Sequence, residues 1–202
     1  GVQTCALPIF RFPKHNTSFE EPIVIPPHIL TLLFASLERR NVRLPRFDLL
    51  AQFMLQTGMR TGEAFAIRKQ DIKDGRLKIH ATLTFNYGIK ESTKTNKPRS
   101  IPLNAQALEI VDTMFEHNCS DFMFPYNRNT FASFFRRRAL RLAESGIAEH
   151  IYRPYDLRHT AITRWLESGM SVAQAARFAG NSAEVIFKHY AGVTTEAEMP
   201  LL

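Results

Sequence analysis

A chain of 202 residues with 45% hydrophobic and 22% charged side chains has the make-up of a globular protein with room for one full domain. No run of eighteen apolar residues is present to span a bilayer, and no internal repeat is visible. The formal charge of +7, with a pI near 9.7, points toward a polyanionic partner.

Residues 1–25 carry Pro8, Pro13 and Pro22 with no sustained period and read as a linker. The opening GVQTCALPI lacks the basic start and long apolar stretch of a signal peptide; it resembles a translated sequencing adapter, so the stretch also reads as a non-native leader. Pro26 and Pro27 introduce a first helix in HILTLLFASLERR. A second runs through RFDLLAQFMLQTG and stops at Gly58, and a short one opens at Thr61 in RTGEAFAIRKQDI. Asp74-Gly75 marks a turn into RLKIHATLTF, whose alternation predicts a strand, and GIKESTKTNKPRSIPL predicts two more around the loop 93–98. Helical periods return in NAQALEIVDTMFEH, NTFASFFRRRALRLAESG, YDLRHTAITRWLESG, SVAQAARFAG and SAEVIFKHY, with Gly146, Gly169 and Gly180 at C-cap positions. The expected fold is mainly α with a small antiparallel β-sheet, an α+β domain.

Charge is unevenly spread. Between Arg60 and Ile101 stand ten Lys and Arg against four acids (Glu63, Asp71, Asp74, Glu91). From Arg128 to Arg141 there are five arginines and no acid, interleaved with Phe131, Phe134 and Phe135. Each block reads as a solvated face; two in one chain also suit a nucleic-acid groove, with Lys97, Arg99, Arg136 and Arg137 as its DNA contacts. Cys5 and Cys119 form no CxxC pair, and the seven histidines form no HxxxH or HExxH pattern. A disulfide framework and a metal site therefore lack support, and a reducing cytoplasm fits.

Four stretches carry candidate chemistry. TGMRTGEAFAIR places Arg60 in a glycine-flanked turn, where backbone can approach a bulky ligand and a guanidinium can fork onto two oxygens. STKTNKPRSIPL holds Lys94 at a hairpin tip, and AGNSAEVIFKHYAGV ends a short helix at Tyr190. YDLRHT puts Arg158 at a helix start, where the macrodipole favours an anion. Singly, each has a plain reading: Arg60 as a helix-end arginine, Lys94 as a solvated loop lysine, Arg158 as the partner of a local carboxylate, Tyr190 as a packing residue.

Together they resemble the catalytic domain of the tyrosine recombinases, the phage integrase family, over roughly residues 26–193. TGMRTGEAFAI resembles the first arginine box, STKTNKPRSIPL the lysine hairpin, and YDLRHTAITRWLESGMSVAQAARFAGNSAEVIFKHY the second box. From Arg158 to Asn181 is 23 residues and from Asn181 to Tyr190 nine, as that family separates them. The domain expected from the resemblance spans residues 26–192, with 193–202 as a tail. The resemblance implies cleavage of double-stranded DNA through a 3′-phosphotyrosyl bond, without cofactor or metal, by a cytoplasmic bacterial or phage-encoded enzyme. A covalent tyrosine keeps the phosphodiester energy for rejoining. Free phenol, with a pKa near 10, is about one part in a thousand ionised at pH 7, a handicap of about 4 kcal/mol. Arg60 and Arg158 would hold the non-bridging oxygens, Lys94 would protonate the departing 5′ oxygen, and Glu63 would brace Arg60 or stand as a plain helix carboxylate. His159 reads as a structural helix residue.

Two positions depart from the family pattern. Tyr155, three before Arg158, stands where histidine is usual, and Asn181 stands where histidine or tryptophan is usual. Both can donate a hydrogen bond to phosphate, but neither is a good base near neutrality. The expectation is a slower recombinase acting as a homotetramer on DNA, with the tail docking on a neighbour or fraying. The alternatives are a DNA-binding remnant and a type IB topoisomerase-like enzyme. The family's N-terminal helical domain has only a linker-like stretch in its place, so a longer integrase is expected.

Overall fold

Pro26 and Pro27 fix two backbone angles ahead of a helical repeat of apolar residues, and Ile29, Leu30, Leu33 and Leu37 are buried from α1 (Pro27–Leu37). The computed structural model describes residues 22–37, 45–84, 88–92, 97–117 (without the His117 side chain) and 120–190. Lys94, both cysteines and the tail 193–202 lie outside these residues. The linker does not run to residue 25: Ile25 is fully buried and its N–H donates to Thr160 Oγ1 at 2.9 Å. Alternation of Ile23 and Ile25 with exposed Val24 gives this extended segment one apolar face, which packs on the core.

In α2 (Phe47–Thr57) almost every residue is buried, because the helix runs between α1 and two later helices, α4 (Ala105–His117) and α6 (Asp156–Glu167). It ends at Gly58, whose φ of +59° lies in the left-handed region and whose N–H closes onto Met54 O at 2.9 Å. A Cβ here would also sit 2.4 Å from the Trp165 ring. The glycine therefore serves close packing of α2 on α6, and Gly62 likewise admits the Leu83 carbonyl of a neighbouring strand. The flanking glycines of Arg60 thus make room for protein rather than ligand.

After α3 (Thr61–Ala64), the stretch expected as one strand is broken at His80-Ala81 into β2 (Arg76–Ile79) and β3 (Thr82–Thr84). With β1 (Ile72–Lys73), β4 (Gly88–Lys90) and β5 (Arg99–Pro102) they form two antiparallel sheets, β1-β2-β5 and β3-β4. The break lets β2 bury Leu77 and Ile79 against Ile101 of β5 while β3 turns toward α3.

Five helices follow: α4 (Ala105–His117), α5 (Arg128–Glu144), α6 (Asp156–Glu167), α7 (Val172–Ala179) and α8 (Ala183–Tyr190). The expected helices are all present, and the fold is mainly α with small antiparallel sheets. Phe131, Phe134 and Phe135 face inward from α5, with Phe47 packed at 5.5 Å from both Phe131 and Phe134. They form core, not a base-stacking surface; Arg136 and Arg137 are exposed, the latter with its guanidinium over the Phe134 ring at 5.7 Å. A second, smaller cluster joins Ile162 and Leu166 of α6, Ala175, Ala176 and Ala179 of α7, and Ile186 and Tyr190 of α8. It sets the C-terminal helices against the main core and carries the far half of the site.

Candidate active site

Arg60 is the residue before α3, and the helix start holds it in place. Glu63 Oε2 accepts the Arg60 backbone N–H at 2.9 Å, and Glu63 Oε1 accepts from Arg60 Nη1 at 3.2 Å. The same carboxylate takes a fork from Arg99 of β5, at 3.0 and 2.7 Å. Burial alone would raise the Glu63 pKa; the hydrogen bond and charge of Arg99, with those of Arg60, outweigh it and hold the group below its ordinary value.

Arg99 differs from its expected place as a DNA contact. Its side chain is 7% exposed, and its Nε donates to Phe178 O of α7 at 2.8 Å. An arginine in a basic hairpin looks solvent-facing, yet its strand register points it at a carboxylate 36 residues earlier. Other charges of the basic block are also met internally: Arg68 pairs with Glu91, and His80 Nε2 lies 2.9 Å from Asp71. Lys97, Arg136 and Arg137 are exposed.

Arg158 lies in the first turn of α6 and is 1% exposed. Its Nη1 donates to Gly58 O at 2.7 Å, and its Nη2 to Ala179 O at 2.7 Å and Asn181 Oδ1 at 3.2 Å. Arg60 Nη2 reaches the same Asn181 oxygen at 2.7 Å, and Gly180 O at 3.2 Å. Among the described residues Arg158 forms no ion pair. Its neighbour Asp156 caps the Arg153 N–H at 2.7 Å instead. Burial, then the charge of Arg60, lowers the Arg158 pKa to about 10, so it stays protonated near neutrality. Arg60 and Arg99 share one carboxylate, Glu63, and Arg158 meets Arg60 at Asn181 Oδ1, so these four charged groups carry a net charge of +2, three positive against one negative. Such a cluster can hold an anion against two guanidiniums of fixed orientation.

Tyr190 ends α8, 3% exposed, with its hydroxyl 2.7 Å from His159 Nδ1. Burial raises its pKa well above that of a free phenol, opposed by the charge of Arg158. Tyr155, 43% exposed, meets the His159 ring edge-on at 4.9 Å. Tyr155, Arg158, His159, Asn181 and Tyr190 line one cleft of about 280 Å³, and Pro22 and Ile23 close part of its rim. The structure therefore brings together Arg60, Glu63, Tyr155, Arg158, Asn181 and Tyr190. Sequence reasoning passed over His159; its signal was present, because it follows Arg158 directly while α8 returns Tyr190 across the same helix. Among the described residues no group of three His, Cys, Asp or Glu is placed to hold a metal, and no helix is long and apolar enough to cross a membrane.

The family model described as "Phage integrase family" matches residues 31–197. The integrase of Escherichia phage P2 is 30% identical over 80% of this chain and 41% of its own length. Tyrosine recombinase XerC of Chlamydia pneumoniae is 28% identical over 66% of this chain and 43% of its own. This chain spans less than half the length of either relative. Among solved structures, the Tn1549 transposon integrase in complex with transposon right-end DNA superposes with a TM-score of 0.73 at 17% identity, over 86% of this chain and 62% of that one. A lambda integrase dimer bound to a COC′ core site gives 0.65 at 18% identity, over 92% and 52%.

Proposed function

Since the chain belongs to the phage integrase family, we propose that it is the catalytic part of a site-specific DNA recombinase that cuts and rejoins strands through a 3′-phosphotyrosyl bond. One observation carries the reading: Arg60 and Arg158 converge on a single neutral oxygen, Asn181 Oδ1, while the one carboxylate beside them, Glu63, is shared between Arg60 and Arg99, so the cluster keeps a positive excess for an external anion. A scissile phosphate in the cleft would take the remaining donors of both guanidiniums, with Tyr190 Oη as nucleophile at one side. Lys94 is the proposed acid for the departing 5′ oxygen. Glu63 and Arg99 act as positioning residues, fixing Arg60 and the α7 backbone. Lys97, Arg136 and Arg137 would contact DNA backbone, giving salt-sensitive affinity. Four protomers would exchange two duplexes in the cytoplasm, for integration or excision of mobile DNA.

Nicked suicide duplexes drawn from a randomised pool test this, read as a covalent protein–DNA band on a denaturing gel. The wild type forms the band and Tyr190→Phe does not. DNA binding with no band from either protein would support the remnant reading, which the buried Tyr190 hydroxyl favours.

Asn181 gives a sharper prediction. Asn181→Asp keeps the shape but sets a carboxylate between Arg60 and Arg158, filling the place of the phosphate charge. The thermal midpoint should rise while the rate of adduct formation falls about a hundredfold. A stabilised variant with unchanged rate would show that the two arginines do not hold the phosphate.

A further inference from the structure

We propose that His159 is the general base that takes the proton from Tyr190. This rests on the recombinase reading above and adds to it a proton acceptor at the nucleophile. Position 159 follows Arg158, so α6 carries the imidazole about 100° round from the buried guanidinium, out of the core and into the cleft. There Nδ1 meets the Tyr190 hydroxyl at 2.7 Å, short enough for direct transfer. Tyr155 packs edge-on against the ring and limits its rotation. The nucleophile hydroxyl is thus oriented by α6, although it hangs from α8.

Protonation agrees with this geometry. Burial lowers the His159 pKa below its ordinary value; Asp156 opposes that, while Arg158, His189 and Arg153 add to it. With the hydroxyls of Tyr155 and Tyr190, these are the titratable and charged groups around the ring. The neutral imidazole, with its proton on Nε2, leaves Nδ1 free to accept from Tyr190. The buried phenol, whose pKa burial raises, cannot ionise unaided near neutrality and needs such an acceptor. Neither Tyr155 nor Asn181 can serve.

In cleavage, the Tyr190 O–H bond breaks toward His159 Nδ1 as the Oη–P bond forms. The P–O5′ bond breaks, and the 5′ oxygen takes a proton from the Lys94 ammonium. In rejoining, the 5′ hydroxyl attacks, Lys94 accepts its proton, and His159 returns the first proton to Tyr190.

The test uses a cleavable duplex recovered from the pool, made also with sulfur in place of the bridging 5′ oxygen, so that the leaving group needs no acid. His159→Asn keeps an acceptor oxygen near the Nδ1 position but cannot take a proton. It should bind DNA normally, form adduct about a hundredfold more slowly, and lose the acid limb of the pH–rate profile that the wild type shows below the ordinary imidazole range. The sulfur duplex should rescue Lys94→Ala and leave His159→Asn slow. A His159→Asn variant with wild-type rate and acid limb, or one rescued by sulfur, overturns the inference while leaving the recombinase reading intact. If His159→Asn does not fold, His159→Ala with added imidazole replaces it, and restored cleavage is the expected result; a folded alanine variant that imidazole does not rescue counts against the base. A wild type that forms no adduct on any duplex overturns the recombinase reading and the inference with it.

Discussion

Glu63→Ala should destabilise the protein by about 3–5 kcal/mol, measured as a fall in the urea midpoint, because one carboxylate compensates two enclosed guanidiniums. Its removal leaves Arg60 and Arg99, both close to Arg158, with no ion-pair partner among the described residues. The loss reflects an uncompensated buried charge, so a second change should recover part of it. In Glu63→Leu with Arg99→Leu, both charges leave together and the midpoint should rise again, although Arg60 stays unbraced and cleavage stays slow. The pH dependence follows from the same group. The folded pKa lies below the ordinary 4.5, so the stabilisation is fully present above about pH 4.5 and is lost as pH falls through the folded value. Unfolding free energy that is flat across that range, or no lower in Glu63→Ala, would remove Glu63 from this role.

The second large effect is catalytic. Arg158→Lys keeps the charge but not the planar fork, and an ammonium cannot reach Gly58 O, Ala179 O and Asn181 Oδ1 while also offering donors to a phosphate. The rate of adduct formation should fall about a hundred- to thousandfold at saturating DNA. Equilibrium binding should change far less, since one phosphate among several contacts is affected. A matched loss in binding and rate would make Arg158 a general DNA contact rather than a group aimed at the scissile phosphate.

Much of this was legible in the sequence, and the exceptions have physical reasons. Gly58 and Gly180 were readable as helix stops because left-handed caps are a local requirement, and both have positive φ. The helical periods of YDLRHTAITRWLESG, SVAQAARFAG and SAEVIFKHY revealed α6 to α8, and the separations of Arg158, Asn181 and Tyr190 along them carried the family resemblance. Register and burial were harder to read. Arg99 looked like a surface cation because nothing local reveals that β5 aims it at Glu63. The phenylalanines of α5 looked interleaved with arginines, yet helical geometry turns the rings into the core, with Arg137 and Arg138 lying over the Phe134 ring and Arg136 exposed. Ile25 was assigned to a linker because prolines flank it, and only the Thr160 contact shows that it is pinned. His159 reads locally as one more helix residue, and its contact with Tyr190, 31 residues later, comes from tertiary packing.

The most direct measurement is mass spectrometry of the peptide left on DNA after a trapped cleavage product is digested with protease and nuclease. The expected result is a nucleotide bearing a 3′ phosphate on Tyr190, absent from the Tyr190→Phe protein. A nucleotide on any other residue, or a cleaved strand with no peptide attached, would contradict it.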